Sequence, residues 1–327
     1  MAEEFVAPVV SVIVPVYNKR AVLRASLDSI VAASKQCQDV ELIFLDHHST
    51  DGSWDILREY ADSAMVHRVE AATISAVRNA GARFARGRYL SFIDCDCVVP
   101  RDYFVSLPTV FEINDADAVG CECAIPPSAP WVERLWYELH VVRTDGPRHY
   151  LNAANFAVRR AVFEAIGGFD ESLLVAEDTD ICHRLIAAGR RIFESHALSV
   201  IHLDNPKTAP QFFRKQIWHG LAVLSGGRAM VRNKASVMLF VHVGAVLAAL
   251  MVLTWPRSLA LGARLAASMA LLLVAPILTV VYRFLETGRT TAPAGAILLY
   301  ALYYCARATA LVSVLVGQST RWRRRQS

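Results

Sequence analysis

Residues 88–100, Arg-Tyr-Leu-Ser-Phe-Ile-Asp-Cys-Asp-Cys-Val-Val-Pro, constrain this chain more than any other stretch. Residues 89–93 have the length and apolarity of a buried strand, and that strand runs straight into two carboxylates, Asp94 and Asp96. Ionised carboxylates are rarely buried without a partner. Two of them at the end of an apolar strand repel one another unless a cation stands between them. Open α/β sheets collect ligands outside the carboxyl ends of their strands. A hard divalent ion held by one or two carboxylates, with substrate phosphates completing its shell, is a common occupant. From this stretch alone two readings are open. One is a metal site; the other is a capped strand end, with Asp96 or Asp102 starting a helix.

The neighbouring segments supply the sheet. Residues 9–16 form a β-branched run of strand length ending at Tyr17-Asn18, and such continuous apolarity suits a strand covered on both faces. Residues 21–33 carry Val22, Leu23, Leu27, Ile30 and Val31 at helical spacing. A second buried strand, 40–45, stops at Asp46. A His-His-Ser-Thr-Asp-Gly turn follows, and Ser53 is placed to cap a helix to about Tyr60. A third helix over 73–86 carries Arg78. Strand–helix–strand alternation predicts a parallel sheet with right-handed crossovers. It brings Tyr17, Asp46 and Asp94 to one sheet edge. Beyond Pro100 the pattern predicts a helix over 103–113, a strand over 116–125, a Pro-rich break, and a helix-like run with Trp131 and Trp136. Residues 176–185 read as a helix whose acidic first turn, Glu177, Asp178 and Asp180, complements the helix dipole.

Composition matters because it is uneven. The 327 residues are 54% hydrophobic with a mean hydropathy of +0.32, and the excess lies beyond about residue 230. Residues 235–254, 265–282 and 294–317 are each long enough to span the ~30 Å apolar core of a bilayer. Arg307 inside the third is costly in lipid and needs a protein partner or an anionic headgroup. The expected organisation is a catalytic domain over 1–205, an amphipathic interfacial link over 206–232, a membrane domain over 233–320 and a basic tail over 321–327. Three spans from a cytoplasmic domain put that tail outside, against the positive-inside rule; three spans remain the expectation. The acidic N-terminus lacks the apolar core of a signal peptide. The chain is therefore expected as a multi-pass protein of the cytoplasmic membrane with its catalytic domain inside. Net charge is only +4, much of it in the tail, and no basic stripe interleaves with aromatics, so nucleic acid is not an expected partner. Seven cysteines, an odd number, alternating within apolar runs, read as reduced core residues rather than a disulfide framework or zinc knuckle.

Several ordered segments carry a resemblance. They are Ser11-Val-Ile-Val-Pro-Val-Tyr-Asn18, Asp46-His-His-Ser-Thr-Asp-Gly-Ser53, Arg78-Asn-Ala-Gly81 with Ala85-Arg-Gly87, Asp94-Cys-Asp96, and Gly167-Gly-Phe-Asp-Glu171 followed by Glu177-Asp-Thr-Asp180. In this order they resemble the inverting glycosyltransferases of family 2, with the GT-A fold, over about residues 9–220. The resemblance implies that Pro15, Tyr17 and Asp46 line the nucleoside of a nucleoside-diphosphate sugar. It places Arg78 beside the diphosphate and gives Asp94 and Asp96 the task of holding Mg²⁺ or Mn²⁺ against it. It further implies that His202 completes the metal site and that Asp178 is the catalytic base. The chemistry agrees: inverting transfer needs one base for the acceptor hydroxyl and a cation for the leaving diphosphate.

Two positions depart from the family pattern. His47 stands where many relatives have a second aspartate that reads uracil, which leaves a uridine donor open. Arg214-Lys-Gln-Ile-Trp218 keeps only part of the motif of processive synthases, since Ile217 replaces its second arginine. One sugar per acceptor is therefore expected. The expected acceptor is a hydroxyl of a lipid or lipid-linked glycan, with membrane lipids as further partners. The rival readings are a polyprenyl-phosphate sugar synthase and a catalytically silent membrane scaffold of the same shape.

Overall fold

The computed structural model describes residues 8–37, 39–141, 143–173, 175–225, 234–254, 258–287 and 292–316. In chain order its first elements are β1 (Val10–Val16), α1 (Arg20–Ser34), β2 (Val40–Asp46), α2 (Ser53–Arg58), β3 (Met65–Arg68), α3 (Ile74–Phe84) and β4 (Tyr89–Ile93). Then come β5 (Cys97–Val98), α4 (Tyr103–Ile113), β6 (Ala118–Gly120), α5 (Trp131–His140), β7 (Gly146–Pro147), β8 (Asn155–Arg159) and α6 (Arg160–Ala165). The last are α7 (Glu177–Ala187), β9 (Ile192–Glu194), β10 (Ile201–His202), α8 (Ala209–Ser225), α9 (Lys234–Thr254), α10 (Leu261–Thr287) and α11 (Pro293–Leu315). They fall into two compact units, Met1–Pro127 with Val142–Asn205, and Ser128–Val141 with Pro206–Ser327.

The first unit is built on an eight-stranded sheet of order β3-β2-β1-β4-β8-β6-β9-β7. β3, β2, β1 and β4 are mutually parallel, and β8 runs antiparallel to both β4 and β6. All seven residues of β1 are buried because helices cover both faces of the sheet. Val10, Val12, Val14 and Val16 point into one core with Leu23 and Leu27 of α1 and Phe104 of α4. Ile13 points into the other, with Val77 of α3, Phe163 of α6 and Ile181 of α7. That is the period of two expected of a strand. A small second sheet pairs β10 with β5, antiparallel, setting His202 opposite Cys97.

Three local expectations are corrected. The strand expected over 116–125 is regular only from Ala118 to Gly120, with one further bridge from Ala124 to Ile201. Beyond Gly120 side chains take over the backbone's hydrogen bonds: Asn155 Nδ2 donates to Cys121 O at 3.1 Å, and Glu122 N donates to Glu194 Oε1 at 3.0 Å. Ser53 is not the cap of α2. Gly52, at φ 90°, holds that position, and Asp51 Oδ1 accepts from both Ser53 N and Ser53 Oγ. Neither Asp96 nor Asp102 caps α4, since Asp102 precedes it without a side-chain capping bond.

Gly81 shows how tightly α3 lies on the sheet. A Cβ there would sit 2.4 Å from Ile13 Cγ2 and 2.9 Å from Leu45 Cδ1, both in the buried core. Gly81→Ala is expected to destabilise the chain by about 1–3 kcal/mol, the usual effect of overpacking a full core. A thermal unfolding midpoint equal to that of the wild type would show that the helix does not approach so closely.

The second unit gathers α5 and α8 with the three long helices α9, α10 and α11. Val237–Thr254, Leu261–Glu286 and Pro293–Leu315 are long and apolar enough to cross a membrane. Many of their large apolar side chains face outward, among them Leu247, Met251, Met269, Leu285 and Leu315. A surface of this kind marks contact with lipid or with another protein. Their ends lie within five residues of the expected 235–254, 265–282 and 294–317. The basic tail, 321–327, and the end of the expected link, 226–232, lie outside the described residues. α5 packs Val132, Leu135 and Leu139 with Phe212, Leu299 and Tyr300 in the core of this unit.

Candidate active site

Parallel strands in register deliver Tyr17, Asp46 and Asp94 to one edge. Val16 pairs with Asp46 across β1 and β2, and Ile13 with Phe92 across β1 and β4, so all three residues lie at the carboxyl ends. The loops after β1 and β2 are stitched together. Asn18, in the left-handed region at φ 49°, accepts from Thr50 N at 2.8 Å, and Ser49 Oγ accepts from Asn18 N at 3.0 Å. Pro15 is buried within β1 opposite Leu45, and the Tyr17 ring lies 5.4 Å from that of His47. Asp46 is fully buried. It accepts from Ser49 N at 3.3 Å and from Arg68 Nε at 2.8 Å, while the Arg68 guanidinium lies 4.5 Å from the Trp54 ring centre.

Arg78 is the hub. It projects from α3, is 3% exposed, and bridges two carboxylates: Nη2 donates to Asp94 Oδ1 at 2.8 Å and Nη1 to Glu177 Oε1 at 2.7 Å. Burial works against its charge, but Asp94 and Glu177 more than offset that and hold the guanidinium above its ordinary pKa. The next residue docks a second motif. Asn79 accepts from Phe169 N at 3.0 Å and donates to Phe169 O at 2.8 Å, clamping the Gly-Gly-Phe turn. Gly168 is required there, being at φ 71° with its missing Cβ 2.8 Å from Asn79 Oδ1.

The second aspartate has different company. Asp96 is 4% exposed; its Oδ2 takes the Lys19 ammonium at 2.7 Å. Its Oδ1 is buried without a hydrogen bond and faces His202 Nε2 at 3.4 Å. Ligand atoms of Asp96, Cys97 and His202 lie within 4.8 Å of one another, a grouping that Asp94 does not join. A carboxylate suits Mn²⁺ or Mg²⁺, an imidazole favours a transition metal and so Mn²⁺ of the two, and a thiol suits softer ions. A hydrogen bond with Cys123 and burial push the Cys97 thiol's pKa well up. Asp96 and His202 therefore fit a hard divalent ion, with Cys97 as core. Lys19 reaches a further carboxylate, Asp204 Oδ2, at 2.5 Å. Burial opposes its charge, and the two aspartates overcome that and raise its pKa.

The acidic first turn of α7 is divided among partners. Glu177 goes to Arg78, and Asp180 goes to Arg184 one turn on, at 2.7 Å. Among the described residues Asp178 has no cationic partner. Its Oδ2 accepts from the Tyr150 hydroxyl at 2.7 Å and its Oδ1 from Thr179 N at 2.7 Å. Burial, then the Asp178 carboxylate, raise the Tyr150 phenol's pKa well above the usual range, so it keeps the proton that it donates to Asp178. Sequence patterns assign no role to Lys19 or Tyr150, and none to Glu177 beyond the helix dipole. For Lys19 the available signal is a lysine soon after the Tyr-Asn turn at the end of β1.

Residues 11–167 match the model of Glycosyl transferase family 2. The uncharacterized glycosyltransferase EpsJ of Bacillus subtilis is 33% identical over 118 residues, which are 35% of this chain and 33% of EpsJ. The match thus spans about a third of that relative's length. Glycosyltransferase AglE of Haloferax volcanii is 25% identical over 207 residues, 61% of this chain and 68% of AglE. Among solved structures, the mannosyltransferase PcManGT of Pyrobaculum calidifontis, in complex with GDP-Man and Mn²⁺, superposes with a TM-score of 0.60. At 19% identity it covers 95% of this chain and 88% of its own, which establishes a common fold. The matched span holds the strands that carry Tyr17, Asp46, Asp94 and Asp96 to their edge and the helix that carries Arg78, and over residues 11–167 the chain carries a glycosyl transferase family 2 domain on the GT-A fold.

Proposed function

We propose that this chain is a membrane-anchored inverting glycosyltransferase. It moves one sugar from a nucleoside-diphosphate donor to a hydroxyl of a lipid or lipid-linked glycan at the cytoplasmic face of the cell membrane. The observation that carries the reading is Asp178, a carboxylate without a cationic partner beside Tyr150, on the helix whose Glu177 is tied through Arg78 to Asp94. A base is thereby held in register with the diphosphate side of the site. Pro15 and Tyr17 line the nucleoside, and Asp46 shapes that wall through Ser49 and Arg68. Asp94 and Arg78 border the diphosphate. Asp96 and His202 would hold Mg²⁺ or Mn²⁺, whose charge there offsets that developing on the leaving diphosphate. Lys19 adds a second positive group at the same place.

In the transfer, Asp178 accepts the proton of the acceptor hydroxyl as its oxygen bonds to the anomeric carbon. The bond from that carbon to the diphosphate breaks on the opposite face, with inversion. The Tyr150 hydroxyl occupies the hydrogen-bonding position on Asp178 that an acceptor hydroxyl would take. Support for a nucleotide-sugar donor with a metal comes from PcManGT, solved with GDP-Man and Mn²⁺.

The test is binding of UDP, GDP, dTDP and CDP to the purified chain, with and without Mn²⁺, beside Asp96→Asn. Binding of one nucleotide, at least about tenfold tighter with Mn²⁺, is expected; that gain, worth about 1.4 kcal/mol, should vanish in the variant. A wild type that binds none of the four would overturn the reading in favour of a silent scaffold.

A further inference from the structure

The second unit contains a cavity of about 760 Å³ between α5, α8, α9, α10 and α11. That is within the ~300–1,000 Å³ range of sites that bury a drug-sized ligand. Its lining includes the apolar side chains Val237, Met238 and Leu278, and also Arg307, which lies well inside α11. The Arg307 guanidinium lies 4.9 Å from the Tyr303 ring centre, and its Nη2 donates to Gln216 Oε1 at 3.3 Å. Its Nε is buried without a hydrogen bond. Among the described residues no carboxylate pairs with Arg307.

The charges facing the cavity do not cancel. Arg283 is paired with Glu286 at 3.0 Å, and both line the cavity. His140 and His219 are pushed by burial down to about 4 and about 3, so both are neutral at pH 7. One guanidinium is left over, in a helix apolar enough to enter a membrane, where an uncompensated charge is costly. Trp136, Tyr282 and Tyr300 stand around the cavity, and such amphipathic rings favour the headgroup level of a bilayer.

We infer that this cavity binds a membrane lipid through an anionic phosphate headgroup, with Arg307 as the counter-charge and the apolar side chains receiving the first part of its chain. Planar guanidinium donors match phosphate oxygens in pairs. The apolar part of the lining argues for a phosphate that carries a chain over a free ion. The inference rests on the membrane placement proposed above.

The test is native mass spectrometry of the full chain released from detergent with dioleoylphosphatidylglycerol or dioleoylphosphatidylcholine. At least about tenfold preferential retention of phosphatidylglycerol is expected, unaffected by excess inorganic phosphate and lost in Arg307→Met. Equal retention of the two lipids, displacement by inorganic phosphate, or undiminished retention in the variant would each overturn it. If the variant does not fold, the wild-type preference and the phosphate competition decide alone. Recovery of the wild type in the membrane fraction is scored separately. A chain found there without lipid preference refutes the lipid site only, and a chain found in the soluble fraction refutes the placement itself.

Discussion

Arg78→Met is expected to lower stability by about 3 kcal/mol and to abolish donor binding. Removing one partner of a buried ion pair typically costs about 3–5 kcal/mol, because the other charge is left uncompensated. Here two carboxylates lose their partner at once, which pushes the effect up. Their partial exposure, 31% for the Asp94 side chain and 13% for Glu177, lets water repay some of the loss and argues for the low end. An ordinary surface arginine on α3 would change stability by no more than about 0.5 kcal/mol, so the measurement separates the two readings of this residue. Without Arg78, the Asp94 and Glu177 carboxylates are left without their shared counter-charge. Arg78→Lys should recover only part, since one ammonium lacks the planar fork that serves both acids. Thermal midpoints of the three proteins check this. Identical midpoints would mean that the Asp94–Arg78–Glu177 bridge is not formed.

The parallel core was legible because strands covered on both faces leave a continuous apolar signature, as in β1 and β4. Its polar ends followed from topology: once β1, β2 and β4 run parallel, Tyr17, Asp46 and Asp94 must share an edge. Other features had no local signal. His202 comes opposite Cys97 through a pairing only two residues long, too short for any periodicity to register. The links of Arg78 to Glu177 and of Lys19 to Asp204 cross 99 and 185 residues of sequence, and tertiary structure alone decides them. Tyr150 sits between β7 and β8, where no regular element sets its direction. α5 shows the limit from another side. Its helix-like run with Trp131 and Trp136 was readable, but nothing in that run says that Val132, Leu135 and Leu139 pack with Phe212 and Leu299.

Asp178→Asn is expected to reduce transfer by about 10²–10⁴-fold, the usual contribution of a positioned general base, while nucleotide binding stays within about twofold of wild type, or about 0.4 kcal/mol. The substitution keeps the size and the hydrogen bond that reaches Tyr150, but an amide oxygen does not take up a proton at neutral pH. The acceptor's identity makes the experiment decisive. A hydroxyl must lose its proton as it attacks, so its transfer depends on the base; a phosphate acceptor is already ionised and needs none. Single-turnover transfer beside nucleotide binding therefore distinguishes the two, and near wild-type transfer in Asp178→Asn would favour the polyprenyl-phosphate synthase. Tyr150→Phe supplies the internal check. If the phenol only holds the position of the acceptor hydroxyl, removing it should leave the base in place and spare most of the transfer. Compensation within the same turn is not available, because Glu177 is committed to Arg78 and Asp180 to Arg184. Among those three acids, Asp178 alone is without a cationic partner and so is placed to take the proton.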